Sequence, residues 1–370
     1  MNQYQFFISV IVLTLSTIQA IRGQEVKDLK VKEIFAPTES PLKLTPIFAD
    51  SETILAIGGS KLDMVFSWKS KELDQDPRVF RTGAGTSKWT TNGKILVTSN
   101  EKDLFRVYDL KSGKRLANVP LNKSRRESCL GIAMNSLGSR VAVKCDFIGE
   151  SNCEIRVFDT DTKEVVFSKA LNAWKDPSSA PFGFVGENIV AVGGQGRPGT
   201  EFDYVTLVGW DIRTGEIAFK GDWTDGKVTS IRIYGENGEH IVCGSEYGTK
   251  QTTLLFDGTK VLKHSNIQIG NGRISFVKSK LLLCCSNGYD TRIWDVAEGR
   301  RLVQFELRVD GRRQAGEPIL STAGDLLIAT GRDCGLALID VDDLVKKCEH
   351  DVNFDSKMIW YELDRRKRER

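Results

Sequence analysis

Residues 274–305 read ISFVKSKLLLCCSNGYDTRIWDVAEGRRLVQF, and this stretch decides the fold. Four short runs rich in apolar and β-branched residues alternate with polar turns such as Ser-Asn-Gly-Tyr-Asp and Ala-Glu-Gly. Runs of this length between Gly, Asn and Asp turns are typical of short strands joined as hairpins. The stretch therefore predicts four strands, at Ile274–Val277, Leu281–Cys285, Thr291–Val296 and Arg301–Phe305.

The end of the third strand carries a dipeptide that recurs along the chain. An aromatic or aliphatic residue is followed by a small polar one, and successive copies stand 38 to 52 residues apart. A turn usually follows, as in Lys-Ser-Gly-Lys at 111–114 and Arg-Thr-Gly-Glu at 213–216. The copies are Phe66-Ser67, Tyr108-Asp109, Phe158-Asp159, Trp210-Asp211, Phe256-Asp257, Trp294-Asp295 and Ile339-Asp340.

The first hairpin of the unit recurs too, so that seven hairpins alternate with seven dipeptides. A period of 40–50 residues with four strands in each unit is typical of a β-propeller. One such sheet cannot bury both faces alone, whereas radially arranged sheets cover one another and leave only short edges. The hairpins begin at Phe48, Trp89, Met134, Tyr234 and Leu320, with shorter versions at Phe184–Ile189 and Phe276–Leu281.

This pattern resembles the WD-repeat family over roughly residues 28–348. Trp210-Asp211 and Trp294-Asp295 carry the dipeptide of that family, whereas the other five copies depart from it and its Gly-His pair is missing. The resemblance implies an all-β fold, a seven-bladed β-propeller of four-stranded antiparallel blades. We accordingly expect the propeller to span residues 33–348.

The amino terminus differs in kind from the rest of the chain. Phe6–Leu15 is a ten-residue apolar run. Its length suits the core of a secretory signal peptide and is short for a membrane-spanning helix. We expect a signal peptide at residues 1–23 with cleavage after Gly23, the alternative being cleavage after Ala20. The mature chain would then be exported, to a periplasm or the extracellular space, and would contain no transmembrane segment.

The remaining terminal segments are short and charged. Residues 24–32 form a lead-in, and residues 349–370 form a C-terminal segment with a basic tail. Either Gln24–Lys32 or Lys357–Leu363 is a candidate for the strand that closes the ring. The chain of 370 residues has a net charge of +3, which gives no argument for nucleic acid. We expect a monomer.

The chain has eight cysteines, and some of them can be oxidised if the chain is exported to an oxidising compartment. Cys145 and Cys153 end and begin two strands that should pair, and cross-strand neighbours can be close enough for a disulfide. The alternative for this pair is two buried thiols, because free Cys packs as a small hydrophobe. The other cysteines are Cys129, Cys243, Cys284, Cys285, Cys334 and Cys348.

The sequence predicts no catalytic, cofactor or metal site. Gly194-Gln-Gly-Arg-Pro-Gly199 fits G-x-G-x-x-G, but a dinucleotide site needs a helix next, and residues 200–211 read as another strand. The nucleophile elbow G-x-S-x-G and the zinc motif H-E-x-x-H are absent, and no Cys-x-x-Cys occurs.

Three long loops are expected on one face, because strand 2–3 loops and blade-to-blade connections lie at the same end of a propeller. They are Asp146–Asn152, Ala173–Ala180 and Gln195–Asp203. Aromatic and Arg side chains can anchor an interface, so this sector is a candidate partner-binding patch. The alternative is that the loops are tolerated insertions. The candidate partner-binding residues are Phe147, Trp174, Arg197 and Phe202.

The function expected from these patterns is a non-enzymatic interaction platform that displays loops to a protein partner of unknown identity. One alternative is an exported propeller enzyme that resembles lactonases or quinoprotein dehydrogenases. The quinoprotein repeat ends in Trp, where this chain has Ala117, Phe219 and Val303. Another alternative is a polymer-binding module at the cell surface. Propellers host many unrelated activities, so the fold alone does not decide among them.

Overall fold

The fold is all-β, with repeated four-stranded antiparallel sheets. The signal peptide predicted at 1–23 lies outside the residues that the structure describes, as does most of the segment 349–370. The computed structural model describes residues 24–25, 29–36, 44–58, 64–82, 88–100, 103–121, 127–147, 153–203, 205, 207–221, 227–234, 240–247, 250–256, 261–265, 274–286, 290–309, 312–313, 318–331, 335–349 and 359–363.

Sheets 1 to 3 are antiparallel meanders in which strands pair in chain order. Sheet 1 contains Thr45–Ala49, Thr53–Gly58, Met64–Lys69 and Arg78–Arg81. Sheet 2 contains Lys88–Thr91, Ile95–Ser99, Asp103–Asp109 and Arg115–Pro120. Sheet 3 contains Glu127–Met134, Arg140–Phe147, Cys153–Asp159 and Val165–Ala170.

Sheets 4 and 5 follow the same plan, and sheet 6 begins with it. Sheet 4 contains Phe182–Val185, Ile189–Gly193, Leu207–Asp211 and Ile217–Gly221. Sheet 5 contains Lys227–Tyr234, His240–Tyr247, Lys250–Phe256 and Val261–Ser265. Sheet 6 contains Ile274–Val277, Leu282–Ser286, Asp290–Asp295 and Arg300–Val309, so the four strands expected in residues 274–305 are confirmed.

Sheets 6 and 7 recruit strands from the two ends of the chain. Ile359–Leu363 pairs in parallel with Arg300–Val309, and the short strands Gln24–Glu25 and Arg312–Arg313 complete sheet 6. Sheet 7 contains Ile319–Leu320, Leu326–Thr330 and Gly335–Asp340, with Val31–Phe35 as its outer strand. A 3-10 turn at Lys278–Lys280 and an α-helix at Val341–Glu349 complete the elements.

Buried apolar residues join sheets 1 to 4 in order, sheet 6 to sheet 7, and sheet 7 to sheet 1. Strand 1 of sheet 5 lies against sheets 4 and 6. Sheet 7 packs on sheet 1 as well as on sheet 6, so the last sheet contacts the first. Buried residues from neighbouring sheets that share one apolar cluster include Leu55 and Leu96, Phe105 and Val143, Val157 and Val190, Ile293 and Ala337, and Ile328 and Ala56.

The recurrent aspartate of the dipeptide stabilises the turn that follows it. The carboxylate of Asp159 accepts hydrogen bonds from the backbone N–H of Asp161 and Thr162, both at 2.9 Å. The Asp211 carboxylate accepts one from Arg213 N, and that of Asp295 one from Glu298 N, each at 2.9 Å. These Asp side chains supply the acceptor that a tight turn needs, which explains why the dipeptide repeats.

Asp211 should make stability depend on pH. Hydrogen bonds from the Arg213 side chain and backbone lower its pKa to about 2. Because the folded-state pKa lies below the unfolded value of about 3.9, the stabilisation is complete above that value and lost as the pH falls toward 2. Between neutral pH and about pH 2, Asp211→Asn should reduce the change in the free energy of unfolding by about 1 kcal/mol. Solvent screening of this partly exposed carboxylate keeps the value small.

Urea unfolding between pH 6 and pH 2.5 measures the effect. Asp161→Asn, at an exposed turn position of sheet 3, is the matched control for the loss of one surface carboxylate. A constant difference between wild type and Asp211→Asn over this range would contradict the prediction.

Candidate functional site

Two connections at one end of sheets 3 and 4 pack together as a double loop, residues 171–180 and 194–203. Lys175 N donates to Gln195 O at 2.9 Å, and Arg197 N donates to Ala173 O at 2.7 Å. Trp174 and Gly196 form an isolated antiparallel bridge. The double loop is thus tied across its middle by backbone hydrogen bonds.

An aromatic stack lies beneath the double loop. The rings of Trp174 and Phe202 are stacked with centroids 5.7 Å apart, and Phe202 meets Trp210 edge-on at 5.9 Å. Each of the three side chains is 1% exposed. Trp210 belongs to strand 3 of sheet 4, so the stack attaches both connections to the sheet.

Gly196 is required by the same packing. A Cβ at this position would lie 1.5 Å from the carbonyl oxygen of Phe202. No side chain fits at that distance without a shift of the backbone. The second glycine of the G-x-G-x-x-G match therefore allows close loop packing. The strand expected over residues 200–211 covers only Leu207–Asp211, because residues 201–203 form a turn.

Three of the four candidate partner-binding residues lie in the core, which corrects the sequence-based assignment. Trp174 and Phe202 are 1% exposed and Phe147 is 6% exposed, so these side chains contribute to packing and do not present area to a partner. The Phe147 ring is covered by the Arg156 guanidinium, 5.1 Å from the ring centroid. Arg197 is exposed on the double loop.

Buried Lys144 also positions the double loop, and the sequence analysis missed it. Its Nζ donates to the carbonyl oxygens of Ser178 at 2.5 Å and Ala180 at 2.7 Å. Lys144 is 5% exposed, and burial lowers the pKa of its ammonium group. Its only sequence signal is a lysine at an inward position within an apolar strand, Arg140–Phe147.

A buried ion network lies at the same end of sheet 3. Arg156 Nη1 contacts Glu127 Oε1 at 2.5 Å, and Arg156 Nε also pairs with Glu154. The Glu127 side chain is 2% exposed. A carboxylate so deeply buried needs its cationic partner, because an unpaired buried charge is strongly unfavourable.

The strand register separates Cys145 from Cys153. Cys145 lies opposite Glu154, whereas Cys153 lies opposite Asp146, one position further along. Neighbouring positions point to opposite faces, and Cys145 packs toward sheet 2 while Cys153 packs toward sheet 4. Both are free thiols. The candidate Cys145–Cys153 disulfide is therefore wrong and the alternative of two buried thiols is found, because the two side chains face away from each other.

The exposed part of the double loop is polar. Lys175, Asp176, Gln195 and Arg197 are exposed, and Ser178 Oγ donates to Asp176 at 3.1 Å. Among the described residues, no cluster of His, Cys, Asp or Glu could hold a metal ion. None of the helices in the described ranges has the length and apolar character needed to cross a membrane.

Searches of protein-family models and of curated proteins found no match for this chain.

Proposed function

We propose that this chain is an exported WD-repeat-like β-propeller of seven four-stranded blades that acts as a protein-interaction platform. The seven sheets in the described residues, each packed on the next and the last on the first, support the ring. Val31–Phe35 pairs antiparallel with Gly335–Asp340, so the last sheet contains a strand from near the N-terminus. Such pairing joins the two ends of the repeat and protects the sheet edge.

The observation that carries the interaction role is the preorganised double loop. Its backbone is held by the Trp174–Phe202 stack, by Lys144 and by hydrogen bonds between its two connections. A loop ordered before binding loses less conformational entropy on association. The double loop therefore presents Lys175 and Arg197 on a rigid support.

The loops of this sector share one end of the sheets. The connection 171–180 follows strand 4 of sheet 3, and the connection 194–206 joins strands 2 and 3 of sheet 4. In an antiparallel meander these two kinds of connection lie at the same end, opposite the turns between strands 3 and 4. Lys111, in such a turn of sheet 2, therefore lies at the far end from the double loop.

Affinity capture of the chain from its native host after mild cross-linking tests the proposal. We expect a stoichiometric protein partner and a mature chain that begins at Gln24. The double variant Lys175→Ala, Arg197→Ala should weaken partner binding at least about tenfold, equivalent to about 1.4 kcal/mol. Lys111→Ala, an exposed lysine at the far end, is the matched control and should bind as the wild type does.

Two outcomes would contradict the proposal. If the chain is recovered without a protein partner, the proposed interaction role is contradicted. If the Lys175→Ala, Arg197→Ala variant binds a captured partner with unchanged affinity, the double loop is not part of the interface.

A further inference from the structure

Cys129 and Cys145 lie directly opposite each other on strands 1 and 2 of sheet 3. Directly opposite residues project from the same face of an antiparallel pair. Consistent with this, Cys145 belongs to the apolar cluster between sheets 2 and 3, and Cys129 packs against that cluster. Both thiols thus point toward sheet 2, in contrast to Cys153.

The backbone spacing of such a pair suits a disulfide. Opposite residues of an antiparallel pair have Cα atoms about 4.5 or 5.5 Å apart, within the range of about 4.4–6.8 Å that disulfides span. The register shifts between Cys129 and Gly131, which marks a bulge beside the pair. A bulge bends its strand and increases the local twist beside Cys129.

We propose that Cys129 and Cys145 form a structural disulfide that joins strands 1 and 2 of sheet 3. The oxidant would be a disulfide, either that of a thiol oxidoreductase or glutathione disulfide. The Cys129 thiolate attacks the oxidant's S–S bond, forms a mixed disulfide and releases one thiol. Cys145 then attacks Cys129 Sγ, and the second oxidant thiol leaves. Two protein thiols are oxidised and one oxidant disulfide is reduced.

The two thiols differ in access, which sets the order of events. The structure shows both cysteines as free thiols, with Cys129 partly exposed and Cys145 fully buried, so the proposed bond belongs to the oxidised chain. Burial raises the pKa of both thiols, so few thiolates exist in the folded chain. The bond therefore forms while the chain folds and before sheet 2 covers Cys145. In the cell this rests on the proposed export, which supplies the oxidising compartment.

Refolding of the full-length chain with reduced and oxidised glutathione tests the bond. Remaining thiols are alkylated, and the peptides are mapped by mass spectrometry. We expect a cross-linked peptide pair containing Cys129 and Cys145, with a mass about 2 Da below that of the reduced pair. The folded, reduced chain should form it at least about tenfold more slowly than the refolding chain.

Three cysteine variants test whether the cross-linked peptide comes from Cys129 and Cys145. Cys129→Ser and Cys145→Ser should each abolish the cross-linked peptide, whereas Cys153→Ser should retain it. A Cys145–Cys153 peptide, or alkylation of both Cys129 and Cys145 in the refolded chain, would overturn the pairing. If the pair oxidises in vitro but is reduced in the chain isolated from its host, the structural disulfide in the cell is overturned. Export fails as well only if that isolated chain does not begin at Gln24.

Discussion

Trp174→Ala should lower the free energy of unfolding by about 3–5 kcal/mol, the range observed when a buried Trp or Phe is cut to Ala. Trp174 is 1% exposed and stacks on Phe202, which in turn contacts Trp210. Removal of the indole would leave a cavity between the double loop and sheet 4, which relaxes only partly. Urea denaturation followed by circular dichroism measures the loss.

Two further variants separate packing from surface effects. Trp174→Phe retains an aromatic ring, and the Trp174 indole N–H has no hydrogen-bond partner among the described residues. This variant should lose well under half as much stability as Trp174→Ala. Arg197→Ala, on the exposed side of the same double loop, should stay within about 0.5 kcal/mol of the wild type. If Trp174→Ala is as stable as Arg197→Ala, the stack does not hold the loop.

Arg156→Met should lower the free energy of unfolding by about 3–5 kcal/mol, because it removes the guanidinium that contacts a buried carboxylate. The Glu127 side chain is 2% exposed and contacts Arg156 Nη1 at 2.5 Å. Arg156 also pairs with Glu154 and covers the Phe147 ring. Loss of the guanidinium therefore removes charge compensation and packing together.

A double-mutant cycle isolates the charge contribution. Addition of Glu127→Gln to Arg156→Met should recover at least about 1 kcal/mol of the free energy of unfolding. Burial of a neutral amide costs less free energy than burial of a carboxylate that has lost the guanidinium beside it. Lys69→Met breaks an exposed pair with Glu72 and should change stability by less than about 1 kcal/mol. If the double variant recovers nothing, the Glu127 charge is not the source of the loss.

The local features of the fold were predictable from the sequence. The four strands within residues 274–305 occur with bounds close to those expected, at Ile274–Val277, Leu282–Ser286, Asp290–Asp295 and Arg300–Val309. The recurrent aspartates lie at turns, where their carboxylates accept backbone hydrogen bonds. Strand periodicity and turn chemistry depend on residues a few positions apart, so a single sequence contains the information.

The site was only partly predictable. Aromatic residues in long loops suggest exposed anchors. Trp174 and Phe202 are nevertheless buried, because the connections 171–180 and 194–203, which begin 23 residues apart in the chain, pack on each other. Lys144 reaches Ser178 and Ala180 across a larger separation. No local pattern encodes such contacts, since they depend on which loops the packing of neighbouring sheets brings together.

The sequence by itself determined the strands, the turns and the repeat that makes the protein all-β. The tertiary structure decided which side chains face which neighbour: Arg197 outward, Trp174 inward, and Cys145 toward Cys129 and away from Cys153. The physical reason is that side chains alternate along a strand, so a shift of one position in register moves a residue to the opposite face. Register is set by long-range pairing and packing, which only the folded chain shows.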